Sequence, residues 1–291
     1  MPSALVTGSA GFIGRHFTRR LIRNGWDVSC VDVKTGRDAR EFFTFPPSGY
    51  DLVVHAAAVV GGRETIDNNP LAQAVNLELD AGLFTWARRA RPGRIVYLSS
   101  SSVYPVALQG SETKCRLHEQ DVNWASTQGP DALYGWTKLT GEYLARLALA
   151  DGQAVTIVRP FSGYGPDQDD TYPFPAFIDR ALARADPFAI WGSGEQVRDF
   201  IHVDDIVTAT LMMVEQEISG PLNLASGQPV SMRELAGMVC EQAGYEPRFE
   251  CVPTAPSGVE WRVADVLKAS QVWVPRVRLA QGIREALKYR K

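Results

Sequence analysis

Tyr134 and Lys138 lie four residues apart in the segment Tyr134-Gly-Trp-Thr-Lys138. On a helix that spacing puts a phenol and an ammonium on one face. A cation beside a phenol favours the phenolate and lowers its pKa from roughly 10. Such a phenolate can take a proton from an alcohol near neutral pH. Upstream, the polar run Ser99-Ser100-Ser101-Ser102 directly follows the apolar Arg94-Ile-Val-Tyr-Leu98. A serine hydroxyl there could hold the same alcohol, or the carbonyl derived from it, in place. Ordinary helices also carry a surface Tyr and a snorkelling Lys. A serine run at the end of a strand, which needs polar partners, favours the chemical reading.

A second constellation stands at the N-terminus. Thr7-Gly8-Ser-Ala-Gly11-Phe12-Ile13-Gly14 follows the apolar Ala4-Leu5-Val6. A strand, a glycine turn and a helix aim backbone N–H groups and a helix dipole at one point, which suits a pyrophosphate. The spacing is Gly-x-x-Gly-x-x-Gly, and three glycines in register argue against a plain connecting turn. Asp32 falls at the end of the next apolar run, where a carboxylate can accept from an adenosine ribose and repel a 2′-phosphate. That predicts NAD over NADP, with Lys34 and Arg37 as the cations that could overrule it. Asp38 and Ala39 could reach the adenine edge, or form a surface turn.

These groups need a frame. Apolar runs at 4–6, 28–33, 51–55, 94–98 and 154–158 alternate with helical patterns, notably 72–90 and 134–150. Alternation of this kind predicts an α/β fold, a Rossmann-type doubly wound parallel sheet. After Pro160 the chain becomes rich in Pro, Gly and aromatics, which predicts a smaller C-terminal substrate-binding lobe. The expected division is a cofactor-binding domain over 1–165, rejoined by a return segment at about 198–226, with the lobe at 166–197 and 227–291. A formal charge of −3 excludes a general nucleic-acid binder. No apolar run is long enough to span a bilayer, and the N-terminus has no charged leader, so no membrane association is expected. Cys30, Cys115, Cys240 and Cys251 lack metal-type spacing and read as reduced cytoplasmic thiols. The histidines are too scattered to predict a metal site.

Together these motifs resemble the extended short-chain dehydrogenase/reductase family, in its NAD-dependent nucleotide-sugar epimerase and dehydratase branch. The resemblance spans nearly the whole chain. It implies that the segment containing Gly8, Gly11, Phe12, Ile13 and Gly14 binds cofactor, that Ala56, Ala57 and Ala58 line it, and that Asn76 supports the active-site strand. It makes Tyr134 and Lys138 the active-site pair. Counting back from Tyr104 places the catalytic hydroxyl at Ser100, with Ser101 as a rival and Ser102 beside them. Arg159-Pro160-Phe-Ser162 resembles the segment under the nicotinamide, and Arg198 and Arg262 resemble arginines that meet a substrate diphosphate. Ser162 stands where the family often has Asn. Ser101 and Ser102 replace the acid pair of the dehydratases, which disfavours water elimination. Neither Val59-Val-Gly-Gly-Arg63 nor the insert from Pro105 to Asp131 matches a subtype. The implied activity is epimerisation of a nucleotide-diphosphate sugar at C4 through a 4-keto sugar. The alternatives are a ketoreductase or dehydratase of the same family, and a catalytically silent RNA-binding or assembly factor. The helices at 72–90 and 134–150 imply a homodimer.

Overall fold

Short runs of Val, Leu and Ile bounded by Gly, Pro and Asp become buried strands, and the amphipathic stretches between them become the helices that cover those strands. The structure is a computed structural model that describes residues 1–46, 48–62, 68–122 and 129–291. The first half runs β1 (Ser3–Thr7), α1 (Phe12–Arg23), β2 (Asp27–Val31), α2 (Ala39–Phe42), β3 (Leu52–His55), α3 (Ala74–Ala90), β4 (Arg94–Leu98), β5 (Arg116–Leu117) and α4 (Ala132–Ala150). There follow β6 (Val155–Pro160), β7 (Ser162–Tyr164), α5 (Pro173–Leu182), β8 (Phe188–Trp191), β9 (Val197–His202), α6 (Val203–Glu215) and β10 (Gly220–Leu224). The chain closes with β11 (Pro229–Ser231), α7 (Met232–Ala243), β12 (Phe249–Val252), β13 (Trp261–Ala264), α8 (Leu267–Ser270) and α9 (Leu279–Tyr289).

The main sheet has six parallel strands in the order β10-β6-β4-β3-β1-β2. Successive residues of each strand serve opposite faces. Ala4, Val6, Leu52, Val54 and Val96 pack with Phe17 and Leu21 of α1 and Ile206 of α6. Leu5, Val53, Ile95 and Tyr97 pack with Leu79, Leu83 and Trp86 of α3 and Ala145 of α4. This is the doubly wound Rossmann-type arrangement that the alternation implied. Element boundaries shift from the sequence reading by one or two residues, and two of the shifts have a local cause. β2 ends at Val31, and Asp32 caps the turn after it, because both of its carboxylate oxygens accept backbone N–H groups. The α-helix expected from 72 starts at Ala74, after a 3-10 turn that Pro70 opens.

A second sheet, β11-β9-β13-β5 with β7 beside β9, is entered directly from the carboxyl ends of β6 and β10. Behind it Phe174, Phe177 and Ile178 of α5, Leu235 and Val239 of α7, and Ile283 and Leu287 of α9 form a separate apolar cluster. The insert from Pro105 to Asp131 contributes β5 to this sheet, so much of it is tied to the fold. Its residues 123–128, and Arg63 of the Val59–Arg63 stretch, lie outside the described residues.

Candidate active site

Gly8 leaves β1 at φ +66°, a conformation glycine adopts without a Cβ penalty. A Cβ there would lie 2.6 Å from the backbone of Ala56, and one on Gly14 would collide with the Gly8 carbonyl. The turn is therefore pressed against the Ala56-Ala57-Ala58 segment leaving β3. This is where the strand order reverses, between β1 and β3, and ligands of open parallel sheets bind in that crevice. Gly11 is the N-cap of α1, makes no side-chain capping bond, and no acidic residue stands in the first turn containing Phe12, Ile13 and Gly14. The helix end thus offers N–H groups and a positive dipole to an anion.

Asp32 is buried beside this turn. Its Oδ2 accepts from Ala10 N at 2.9 Å and its Oδ1 from Lys34 N at 2.8 Å. Each carboxylate oxygen keeps a further lone pair for a ribose hydroxyl. Arg37 donates to the Cys30 carbonyl at 2.8 Å and sits over the Phe42 ring. Asp38 caps α2 and is bound by Arg40, whose guanidinium holds the Asp38 carboxyl below the usual range. Ala39 is buried in the core. Asn76 reaches Val59 through both its amide groups, at 2.7 and 3.1 Å, so it pins the loop after β3. Pro160 ends β6 opposite Leu224. This cradle fits a dinucleotide: room where a side chain would clash, bare helix N–H groups for a pyrophosphate, and a carboxylate for a ribose.

The second group stands across the crevice. Ser100 follows β4, its Oγ accepts from Ser102 N at 3.1 Å, and its hydroxyl is near enough to the Tyr134 phenol to favour the phenolate. Ser101 is buried in the turn that follows. Lys138, one turn along α4, is 3% exposed, and its Nζ lies 5.2 Å above the Tyr97 ring. The structure corrects the expected lowering of the Tyr134 pKa. Burial pushes the phenol up, the Tyr172 phenol and the Asp80 carboxylate add to the rise, and the Ser100 hydroxyl opposes it. Burial also lowers the Lys138 ammonium, against the charges of Asp80 and Glu142. Burial favours the neutral form of both groups, raising the acid and lowering the base.

Arg198 and Arg262 are register partners on the neighbouring parallel strands β9 and β13. Arg198 donates to the carbonyls of Val197 and Ser257 at 2.8 and 3.2 Å. Arg262 donates to Gln109 Oε1 at 2.6 Å, to Asp131 Oδ2 at 2.7 Å and to Ser102 Oγ at 3.4 Å. Ser162 begins β7 opposite Phe200 of β9. The insert residue Glu119 accepts from Asn223 N at 2.9 Å, and its carbonyl accepts from Arg159. It buttresses the sheet through these contacts.

Residues 4–225 match the NAD dependent epimerase/dehydratase family. The chain belongs to that family. It is 31% identical to a dTDP-4-dehydro-6-deoxy-D-allose reductase of Streptomyces, over 93% of this chain and 90% of that one. It superposes on the UDP-glucose 4-epimerase of Thermus thermophilus, solved with NAD, at a TM-score of 0.82 and 25% identity, covering 99% and 98% of the two chains. The UDP-glucose 4-epimerase of Thermotoga maritima, solved with UDP-glucose, gives 0.82 at 26% identity with the same coverage.

Sequence reasoning missed Asp80, Asp131, Gln109 and Tyr172. Asp80 carried a signal. It stands four residues after Asn76 on the buried face of α3, between Leu79 and Leu83, where a polar residue needs a reason. Asp131 and Gln109 carried none, because their partner Arg262 is more than a hundred residues away.

Proposed function

We propose that this chain is an NAD-dependent nucleotide-sugar epimerase acting at C4 of the sugar. The observation that supports the reading most is the Ser100 hydroxyl, just after β4, near the Tyr134 phenol, with the buried Lys138 one helical turn further along α4. NAD would lie on Gly8, Gly11 and Gly14 with its ribose on Asp32, and when bound it supplies a hydride acceptor and donor. Tyr134 takes the proton of the C4 hydroxyl, and Ser100 holds the oxygen as the carbon becomes a ketone. Lys138 supplies positive charge behind the phenol. Return of the proton from Tyr134 to the oxygen of the turned sugar completes the inverted alcohol. Arg198 and Arg262 grip the diphosphate, since paired guanidinium forks match its oxygens.

Several further features belong to this reading. The chain divides into an NAD-binding domain at 1–165 with its return segment at about 198–226, and a substrate lobe at 166–197 and 227–291. A homodimer is supported by Trp136, Tyr143 and Leu147, which form an exposed stripe along α4. A cytoplasmic setting is supported by four free cysteines. No described helix is long and apolar enough to cross a membrane. A second reading, a nucleotide-sugar ketoreductase, is favoured by the 31% identity to the Streptomyces reductase. Incubation with UDP-, GDP-, CDP- and dTDP-sugars without added cofactor, followed by proton NMR, separates the two. A second anomeric species of equal mass supports the epimerase. Stoichiometric NADH oxidation with a keto-sugar, and no isomerisation of any hydroxyl sugar, replaces it with the reductase.

A further inference from the structure

Three side chains hold Arg262, and the three holds differ in kind. Gln109 Oε1 accepts from its Nε at 2.6 Å, Asp131 Oδ2 from its Nη2 at 2.7 Å, and Ser102 Oγ stands 3.4 Å from its Nη1. Asp131 and Ser102 therefore meet the tips of the guanidinium fork, and Gln109 meets its stem. Gln109 is 1% exposed, whereas Ser102 and Asp131 are half-buried. The Gln109 amide is engaged at both ends. Its Nε2 donates to the Tyr104 carbonyl at 2.9 Å and to the Pro105 carbonyl at 3.2 Å. Carbonyls only accept and a guanidinium only donates, so this is the one orientation of the amide that satisfies all its neighbours. The main chain repeats the link. Gln109 closes the short turn Val106–Leu108, and its carbonyl accepts from Trp261 N of β13 at 3.0 Å. The far end of the link is fixed as well. The Tyr104 hydroxyl donates to Asn223 Oδ1 at 2.6 Å and accepts from Arg159 at 3.1 Å.

We propose that Gln109 is a positioning residue for Arg262: its buried amide fixes the guanidinium at Nε and ties it to the segment that carries Ser100, so that the fork meets a diphosphate at a set distance from the reacting hydroxyl. This rests on the reading of Arg262 as a diphosphate ligand. A long side chain loses rotamer freedom when it binds, and an acceptor at Nε removes much of that freedom beforehand. The three acceptors then have different fates. Water can reach the half-buried Asp131 and Ser102, so an entering diphosphate can take their places at the fork tips. Moving Arg262 off Gln109 would instead leave a buried amide oxygen without its donor, which is costly. Gln109 therefore keeps its hold while the tips change partners.

The test is a double-mutant cycle of Gln109→Met and Arg262→Ala, read as affinity for UDP, GDP, CDP and dTDP by calorimetry. Met keeps the length of Gln and removes both of its hydrogen-bonding groups. With Arg262 in place, Gln109→Met should weaken the tightest of these nucleotides by about tenfold. In the Arg262→Ala protein the same change should alter affinity by less than about twofold, because the group it acts through is gone. A glutamine that merely stabilised the turn would lower affinity equally in both backgrounds. If Gln109→Met does not fold, Gln109→Asn draws the amide back from Arg262 and should give the same pattern. Equal losses in the two backgrounds, or full affinity in a folded Gln109 variant, would overturn the proposal and leave the diphosphate reading intact. A wild-type protein that binds none of the four nucleotides would overturn both.

Discussion

The cofactor side and the substrate side of the crevice are built differently. The cofactor side consists of backbone: a glycine turn, the uncapped end of α1 and Asp32 fixed by two N–H groups. It stands ready, with no side chain to be displaced. The substrate side consists of long side chains already engaged. Arg262 holds Asp131, Gln109 and Ser102, and Arg198 holds two carbonyls. In the proposed reading, a diphosphate entering there would replace protein acceptors with its own oxygens. The contrast suits an enzyme that keeps its nicotinamide and exchanges its sugar nucleotide. Preorganisation lowers the cost of tight binding, and ion-pair exchange leaves substrate affinity moderate.

The largest expected effect lies where the two sides meet. Tyr134→Phe keeps the ring and removes the acid/base group, so turnover should drop by about a hundredfold or more with NAD binding retained. Near-wild-type turnover in a folded variant would mean that the crevice works without this phenol. On the cofactor side, Gly14→Ala drives a methyl into the Gly8 carbonyl. Overpacking of that kind costs about 1–3 kcal/mol, and NAD affinity measured by tryptophan fluorescence should fall by about tenfold or more. Unchanged affinity would show that the turn can yield and that the cradle is not rigid.

The asymmetry also explains what the sequence could reveal. The cofactor cradle is encoded locally, in three glycines between positions 8 and 14 and one Asp at a strand end, so spacing alone located it. Tyr134, Lys138 and the serine run 99–102 stood out for the same reason, since a helix face and a strand end position them, whereas the choice of Ser100 over Ser101 came from likeness to the family. The apolar alternation revealed the sheet because fully buried parallel strands must be apolar on both faces. The substrate side depends on contacts between β5, β9, β13 and the insert, whose partners lie 131 to 160 residues apart in the Arg262 set. Its arginines were found only by likeness to a family, and their acceptors not at all. Burial around Tyr134 escaped for a related reason: four-residue spacing says that Lys138 is near, but not how much water both have lost.

Smaller effects sharpen the substrate side. Arg262→Ala should raise KM for a sugar nucleotide by about tenfold with kcat less affected, as for binding shared by ground and transition states. Asp131→Asn should do the opposite, freeing Arg262 from its carboxylate and lowering KM severalfold. Matching directions in these two variants would contradict the exchange of acceptors. The smallest effect concerns the contact between α1 and the segment after β7. Burial opposes the charged form of His16, but the Asp167 and Asp204 carboxylates outweigh it and raise its pKa above 6.5. A raised histidine contributes stability that is complete below its unfolded pKa and fades as pH rises through the folded one. The unfolding midpoint should therefore decline slightly above pH 6.5, and His16→Gln should flatten that decline. A wild-type midpoint that rises over this window would reverse the sign.

In the proposed epimerisation the hydride removed from C4 returns to the same carbon of the same sugar, and the nicotinamide never leaves its cradle in between. A nucleotide sugar deuterated at C4, chosen as one the protein isomerises, tests this directly when incubated with a large excess of unlabelled NAD and followed by NMR and mass spectrometry. Both epimers should keep their deuterium at C4, with none in solvent or in free cofactor. Deuterium accumulating in the free NADH pool, or exchanged for solvent protons, would contradict the retained hydride.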